Sequence, residues 1–329
     1  MMRKLSINCN RLCRYLVGNL QASSGVEGCI DIDVRAGLSH LRRAACRIIY
    51  DAHGGSDGCC NSLSIKRLGG ILGRTMVFSA TGNMDFYAAD ALLRHVMDAL
   101  SFVAVMAHIK VGSVEEMRTP MTSLDWRATI TEVIKKWIPP ISVHFNCKEQ
   151  TIEEPDVLLE NAVLLLQHGL IYRAPGEAVA QGDSGRIVKQ LQMLTMMFHG
   201  GRRSNYAIEF LEWSAGMLKT WSDDLQQVWL NHCVVNLSGR EGKWIEMDRF
   251  DEQLVCYMEE VYNPRGTPES DRFQRESIAQ SMMMFGRAKL AMARATGAPD
   301  YGTHHGEMLA RVDIRRLIER LHSENVYYS

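Results

Sequence analysis

The chain has 329 residues, of which 46% are hydrophobic and 23% are charged. This composition is typical of a globular protein and excludes a disordered, collagen-like or coiled-coil chain. Its 37 Lys and Arg residues nearly balance its 38 Asp and Glu residues, which leaves a net charge of -1. We therefore expect no chain-wide electrostatic attraction to nucleic acids or to anionic membranes.

Residues 1–84 differ in composition from the rest of the chain. They hold 11 Lys and Arg residues against five acids, and six of the nine cysteines. Glycines interrupt every short apolar run except Leu38–Tyr50, where helical spacing predicts a helix, and Arg74–Ala80 could form a short strand. We predict that residues 1–84 are a poorly specified basic, Cys- and Gly-rich lead that could be disordered, before a helical domain at residues 85–329.

From residue 85 the apolar residues recur at helical spacing. The longest run predicts a helix over Asp85–Lys110, and because Asp90, Arg94 and Asp98 interrupt it we expect no membrane span. A shorter helix is predicted at Asp156–Gln167, with Gly169 ending it. The other predicted helices are Ser123–Trp137, Ser184–Phe198, Tyr206–Leu218, Asp223–His232, Asp248–Val261, Asp271–Thr296 and Val312–His322.

Residues 234–246 have a different pattern. A Val-Val piece and a Trp-Ile piece flank a turn that contains Gly239 and Gly242, which predicts two short extended segments. The sequence as a whole predicts a mainly α fold, an irregular multi-helix domain with a short β-hairpin-like strand pair near residues 234–246.

Short motifs between residues 182 and 252 carry a family resemblance. They are Gly182-Asp183-Ser184-Gly185-Arg186, Asn205-Tyr206-Ala207-Ile208-Glu209, Trp229-Leu230-Asn231, Val235-Asn236-Leu237-Ser238-Gly239 and Gly242-Lys243-Trp244-Ile245-Glu246-Met247-Asp248, with Glu252 after them. Their order resembles a domain family of unknown function that is abundant in fungi and found in mobile-element-like genes. The resemblance covers about residues 84–329 and implies no established activity.

The chain departs from that family pattern in two places. The family usually has a longer N-terminal part with a Gly-Asp element, and nothing in residues 1–84 clearly matches it, so the chain resembles a C-terminal portion. Residues 1–84 could therefore be a gene-model artefact, which an in-frame upstream continuation would reveal. After Glu252 the family often has His and Asn, whereas this chain has Gln253 and Leu254, which weakens any polar site there.

Carboxylates are the first candidates for chemistry. Asp248 and Glu252 are four residues apart and would share a helix face, and Asp183 could join them from another element. Three such carboxylates could hold a divalent metal for phosphoryl transfer, as in a nuclease or transposase. The alternative is structural, because Asp183 and Asp248 can each cap the helix that begins beside them.

Other patterns give weaker functional signals. Arg202 and Arg203 form a small basic cluster that could contact a nucleic-acid backbone, although arginines beside a helix start are usually solvated. The His and Cys residues lack the paired spacing of a zinc site, and the turn around Gly239 lacks the spacing of a phosphate-binding loop. We expect no cofactor, and a divalent metal only if the carboxylates act catalytically.

Two methionine groups lie in helical apolar patterns, and they predict either adaptable core or, less often, a surface groove for a partner. The groups are Met193, Met196 and Met197, and Met282, Met283 and Met284 beside Phe285.

The leading functional hypothesis is an uncharacterised helical domain, non-catalytic in this truncated form, that could bind a protein partner. The competing hypothesis is the metal-dependent nuclease that uses Asp183, Asp248 and Glu252. Arg11 and Arg14 break the apolar core that a secretory signal needs, so we expect an intracellular protein of the cytoplasm or nucleus with reduced cysteines. The acid-free, Arg-bearing start also fits a mitochondrial presequence, which is the less favoured location.

Overall fold

A computed structural model describes residues 5–8, 32–35, 37–55, 62–74, 77, 84–118, 125–137, 157–201, 203–253 and 310–327, together with residues 281, 284, 287, 288, 291, 292 and 295. The described chain is mainly α-helical, as the sequence predicts. Its labelled helices are α1 (Leu38–His53), α2 (Ile65–Ile71), α3 (Phe86–Ile109), α4 (Trp126–Trp137), α5 (Val157–Gln181), α6 (Ser184–Gly200), α7 (Ser204–Ala215), α8 (Asp223–His232) and α9 (Ala310–Ser323).

Two strand pairs and three shorter helical segments complete the described elements. Strands β3 (Val234–Val235) and β4 (Ile245–Glu246) pair antiparallel, which confirms the predicted strand pair. Strands β1 (Leu5–Asn8) and β2 (Ile32–Arg35) pair in parallel, and the sequence did not predict them. A 3-10 turn covers Glu116–Arg118, a π-helical turn covers Gly216–Thr220, and residues 247–253 are helical.

One predicted helix end was wrong, because α5 continues through Gly169 and Pro175 to Gln181. A Cβ atom at position 169 would lie 1.9 Å from the sulfur of Met97, so this glycine permits close packing of α5 on α3 instead of ending the helix. The strand predicted at Arg74–Ala80 lies mostly outside the described residues, and Arg74 and Val77 are not in a strand. Most of the predicted helix Asp271–Thr296 also lies outside them.

The chain divides into two units. The first comprises Met1–His40, Val179–Ser184 and Gly216–Met308, and the second comprises Leu41–Ala178, Gly185–Ala215 and Leu309–Ser329. The division predicted at residue 84 stays a prediction. The described residues before residue 84 include α1 and α2, and both helices have buried apolar side chains.

The core of the second unit lies around α3. This helix starts where Asp85 accepts hydrogen bonds from the amides of Tyr87 and Ala88, and it ends at Lys110 in the left-handed conformation. Helix α9 packs on α3. The buried α3 residues are Ala89, Leu92, Leu93, His95, Val96, Met97, Ala99, Leu100, Val103, Ala104 and Met106, and those of α9 are Leu317, Ile318 and Leu321.

Among the described residues, α3 alone is long and apolar enough to cross a membrane by length and composition. Its most apolar 18-residue window has a mean hydropathy of 1.4, and 56% of that window is buried inside the protein. A core helix of a globular protein meets the same criteria, and the packing of α9 on α3 fits that role. The expectation of no membrane span stays a prediction.

Polar contacts inside the second unit join helices that are far apart in sequence. His53 of α1 and His168 of α5 lie 3.0 Å apart between Nε2 and Nδ1. Burial and the neighbouring His168 lower the pKa of His53 to about 4, so His53 is neutral at pH 7. Tyr172 donates a hydrogen bond of 2.5 Å to Asp90. These contacts satisfy buried polar groups and fix the relative positions of α1, α3 and α5.

Candidate functional site

The predicted carboxylate Asp248 lies at the N-terminal end of α1. One of its oxygens accepts the Ser39 hydroxyl hydrogen at 2.6 Å and the Ser39 amide hydrogen at 3.0 Å. The first amides of a helix have no partner within the helix, and the helix dipole favours a negative charge beside them. Asp248 is only 5% exposed, so its carboxylate supplies a buried acceptor and counter-charge for the start of α1.

Gly37 permits this close approach. A Cβ atom at position 37 would lie 2.1 Å from Oδ2 of Asp248, which is far inside van der Waals contact. Any larger residue would therefore have to move the carboxylate away from the amide of Ser39.

His40 lies between the two carboxylates that were predicted to share a helix face. Its Nδ1 is 3.2 Å from Oδ2 of Asp248, and its Nε2 is 3.2 Å from Oε1 of Glu252. The prediction that Asp248 and Glu252 lie on one side of a helix is consistent with these contacts, because both reach the same imidazole ring. We call Ser39, His40, Asp248 and Glu252 the Asp248 cluster.

The hydrogen bonds of the Asp248 cluster stabilise the ionised form of its central carboxyl group. Burial by itself raises the pKa of Asp248, but the hydrogen bonds from His40 and Ser39 and the nearby His40 charge outweigh that effect. The pKa of Asp248 is therefore lowered, and the group carries its negative charge at neutral pH.

The geometry of the Asp248 cluster does not suit a shared metal ion. Asp248 and Glu252 contact opposite nitrogens of His40, so the imidazole ring separates the two carboxylates. Asp183 is exposed and precedes α6. No group of three His, Cys, Asp or Glu side chains within the described ranges is placed to hold a metal ion, and the predicted convergence of Asp183, Asp248 and Glu252 is therefore not seen there.

The cluster also lacks the geometry of an activated serine nucleophile. A Ser–His–Asp triad requires the hydroxyl to donate to the histidine. Here the Ser39 hydroxyl donates to Asp248, and the far nitrogen of His40 faces Glu252. Within the cluster, the hydrogen-bond acceptor of the Ser39 hydroxyl is the Asp248 carboxylate, whose pKa is lowered. These contacts join the start of α1 to residues 247–253.

The predicted cap role of Asp248 needs a correction. The sequence predicted that Asp248 caps the helix that begins beside it, but that helix already includes residue 247. The backbone amide that donates a hydrogen bond to Asp248 belongs instead to the start of α1. Ser39 and His40 were not predicted as partners of Asp248, because they lie 209 and 208 residues away from it in the chain. The available signal was the polar Ser39-His40 pair at the start of an otherwise apolar-periodic helix.

Two motifs of the family resemblance meet in the first unit. The amide of Trp244 donates to the carbonyl oxygen of Ala180 at 3.3 Å, and the Trp244 ring lies against Gly182. Gly182 has a φ angle of +69°, and a Cβ atom there would lie 2.7 Å from the ring. The Gly182 and Trp244 motifs therefore form one packing contact, which explains why a glycine is required at the end of α5.

The predicted nucleic-acid contact gains no support from the described part. Arg203 pairs with Asp51 at 2.7 Å, and Asp51 also accepts from Arg47 at 2.8 Å. The charge of Arg203 is thus balanced inside the second unit. Arg202 lies outside the described residues.

The buried thiols are poor nucleophiles. Cys46 and Cys233 are free and buried, and burial raises the pKa of each thiol to about 12. At neutral pH both are therefore protonated, and neither fits the exposed, low-pKa environment of a catalytic cysteine.

Helices α6 and α7 follow one another in the chain and share an aromatic cluster. Phe198 stacks on Tyr206 and on Phe210, with ring centroids 5.4 and 5.1 Å apart. Phe198 is fully buried and Phe210 is 2% exposed. Each of the two helices therefore has a side that packs into the core and an opposite side that faces solvent.

The solvent-facing sides of α6 and α7 carry large apolar residues. Met193 and Met196 of α6 are 45% and 63% exposed, and Ile208 and Leu211 of α7 are 53% and 50% exposed. The members of each pair are three residues apart, so they lie on one face of their helix. We call these four side chains the α6–α7 face.

The methionine groups thus divide between core and surface. Met197 is 8% exposed and belongs to the core, whereas Met193 and Met196 are exposed. Met284 is 62% exposed, and the side chains of Met282, Met283 and Phe285 lie outside the described part. The alternative of a partner surface therefore keeps its clearest support on α6 and α7.

Comparison with known proteins gives one match. The model of the Family of unknown function (DUF6589) matches residues 23–305, which include both α1 and the Asp248 cluster. No curated protein matches the chain, and no solved structure matches it. Because the matched range covers far more than half of the sequence, the chain belongs to the Family of unknown function (DUF6589).

Proposed function

We propose that this domain is a protein-interaction module whose binding surface is the α6–α7 face. The observation that carries the proposal is the exposure of four large apolar side chains, each 45–63% exposed, on two consecutive helices. Exposed apolar patches on soluble domains mark surfaces that bind other molecules. A partner that covers this face removes its apolar side chains from water.

The chemistry of the face indicates what it binds. An amphipathic helix that presents its own apolar stripe can cover exposed apolar side chains of this kind. The exposed charged residues that share a helix face with these four side chains are Lys189 and Glu212, four residues from Met193 and from Ile208. The matching ligand is therefore a mainly apolar helical surface, and a strongly charged one would match poorly.

The nuclease alternative has less support. It needs Asp248 to be available to a metal ion, whereas Asp248 is buried and accepts hydrogen bonds from Ser39. No observation on the described residues favours it over the interaction module.

The proposal also includes the kind of gene that encodes the protein and the cellular compartment in which the protein resides. The order of the sequence motifs supports a fungal, mobile-element-like gene. Buried free thiols at Cys46 and Cys233 are compatible with a reducing intracellular compartment.

The experiment is a binding titration of the full-length chain with a model amphipathic peptide of about 18 residues, which carries Leu at positions i, i+3, i+4 and i+7. We expect the wild-type chain to bind it and a scrambled peptide of the same composition to bind much more weakly. Replacing Met193, Met196, Ile208 and Leu211 with Gln should weaken binding at least about tenfold, because the apolar contact is lost.

A matched control is available on α4, where Ile130 and Ile134 are each 47% exposed. The Ile130→Gln, Ile134→Gln variant should bind the peptide like the wild type. Equal weakening in both variants, or none in the α6–α7 variant, contradicts the proposed surface. Circular dichroism melting of each variant verifies that it is folded.

A further inference from the structure

Two histidines join the end of α1 to the middle of α5. The Nε2 atom of His53 lies 3.0 Å from the Nδ1 atom of His168, and the two rings meet edge to face with their centroids 5.1 Å apart. His53 is 9% exposed and His168 is half-buried. Both residues belong to the second unit. The contact therefore connects two helices of one unit through residues that are 115 positions apart in the chain.

The neighbours of this pair along both helices are apolar and buried. Ile49 and Tyr50 lie one helical turn before His53, and Leu165 lies one turn before His168. Each of these three side chains is at most 5% exposed. The two imidazole rings therefore continue the buried sides of α1 and α5, where a charged group would lose much of its hydration.

No acidic side chain among the described residues compensates a positive charge on the pair. His168 is the one charged group that acts on His53, and burial alone lowers the pKa of His168. Lys66, whose amide donates to the carbonyl oxygen of Gly54 beside His53, is itself positive. The acids of α1 and α3 that adjoin this region are already paired, Asp51 with Arg47 and Arg203, Asp90 with Tyr172 and Asp98 with Arg173.

The contact between the two rings suits their neutral forms. In that state one ring nitrogen donates its hydrogen and the facing nitrogen accepts it. A first additional proton keeps this hydrogen bond but places an uncompensated charge in apolar surroundings. A second proton makes both facing nitrogens donors at a separation of 3.0 Å, and two positive charges then repel each other. Proton uptake by His53 and His168 therefore favours the separation of α1 from α5.

We propose that the His53–His168 contact is a pH-sensitive switch that holds α1 on α5 at neutral pH and releases it when the rings take up protons. This switch is independent of the α6–α7 face, because neither helix of that face contributes a histidine to it.

The sign of the pH effect follows from the buried rings. The pKa of His53 is lowered from its usual 6.5 to about 4, and the pKa of His168 is lowered as well. The neutral pair therefore stabilises the closed state fully above the usual pKa, and this stabilisation is lost as the pH falls from about 6.5 to about 4. Between pH 7 and pH 5, His53 alone should raise the equilibrium constant for opening about 20-fold.

Hydrogen exchange of the Gly54 amide measures this opening, because that amide donates to the carbonyl oxygen of Tyr50 at the end of α1. Each rate is divided by the rate of an unfolded amide at the same pH, which gives a protection factor. We expect the wild-type protection factor to fall about 20-fold from pH 7 to pH 5. The His53→Gln, His168→Asn variant lacks both titrating rings, and its protection factor should change less than about threefold.

The matched control is His199→Gln, since His199 is an exposed histidine of α6 and its replacement should leave the wild-type pH dependence unchanged. A wild-type protection factor that changes less than about threefold, or a double variant that keeps the wild-type decrease, overturns the switch. If the double variant does not fold, NMR titration of the ring Cε1–H resonances in the wild-type chain decides. Rings of His53 and His168 that are still neutral at pH 6 support the switch, whereas titration with the ordinary pKa of about 6.5 overturns it.

Discussion

Replacing Asp248 with alanine is expected to lower the free energy of unfolding by about 3 kcal/mol, because the buried amide and hydroxyl of Ser39 lose their acceptor. The same change removes the negative charge beside the start of α1 and one of the two carboxylates that contact His40. Urea unfolding followed by circular dichroism measures the loss. Asp251→Ala is the control, since the exposed Asp251 lies in the same helical segment and should change stability by less than about 0.5 kcal/mol.

The pH dependence of this loss has a definite sign. The pKa of Asp248 is lower in the folded chain than in the unfolded chain, so its ionisation stabilises the fold above the unfolded pKa. That contribution is lost as the pH falls through the folded pKa. The difference in stability between wild type and Asp248→Ala should therefore shrink at acidic pH. A loss below about 1 kcal/mol at neutral pH, or a loss that does not change with pH, would contradict the structural role of Asp248.

Replacing Phe198 with alanine is expected to cost about 4 kcal/mol, because it removes a fully buried ring that stacks on Tyr206 and Phe210. Met196 is on the same helix, two residues away, and is 63% exposed. Met196→Ala should change the free energy of unfolding by less than about 0.5 kcal/mol. The measurement is chemical denaturation of both variants under identical conditions.

The contrast between Phe198 and Met196 tests which side of α6 faces the core. Similar losses for the two substitutions would mean that the side of α6 that carries Met196 is packed, and the α6–α7 face would not exist as a free surface. A small loss for Phe198→Ala would mean that the stacked aromatic cluster does not hold α6 to α7.

Most helices could be predicted from the sequence because their apolar residues recur at helical spacing and their ends have local signals. Asp223–His232 is predicted with its observed ends, and Ser222 caps it by accepting from the Leu225 amide. Such caps and turns involve residues within a few positions of one another. The strand pair at β3 and β4 was predictable for the same reason, because a glycine turn lies between its two short strands.

The end of α5 was not predictable because the role of Gly169 depends on tertiary packing. A glycine that ends a helix and a glycine that admits a neighbouring side chain have the same local sequence. Only the position of Met97 on α3 shows that Gly169 does the second. The parallel pairing of β1 with β2 is likewise non-local, since the paired strands are separated by more than 20 residues.

The candidate sites were predictable to different degrees. The spacing of Asp248 and Glu252 predicted a shared helix face. The residues that contact their carboxylate oxygens come from the start of α1, and nothing in the sequence near Asp248 indicates this. For the methionines, periodicity placed Met193, Met196 and Met197 in one apolar helix without deciding which of them face outward. Only the burial of each side chain in the folded chain shows which of them are exposed.

The α6–α7 face is proposed to bind an apolar helical partner. Hydroxyl-radical footprinting of the full-length chain tests it directly, because Met196 and Met284 are 63% and 62% exposed and should oxidise at similar rates when free. We predict that the model amphipathic peptide, at saturating concentration, slows oxidation of Met196 several-fold and leaves Met284 unchanged. Oxidation of Met196 that is unaffected by bound peptide would contradict the claim.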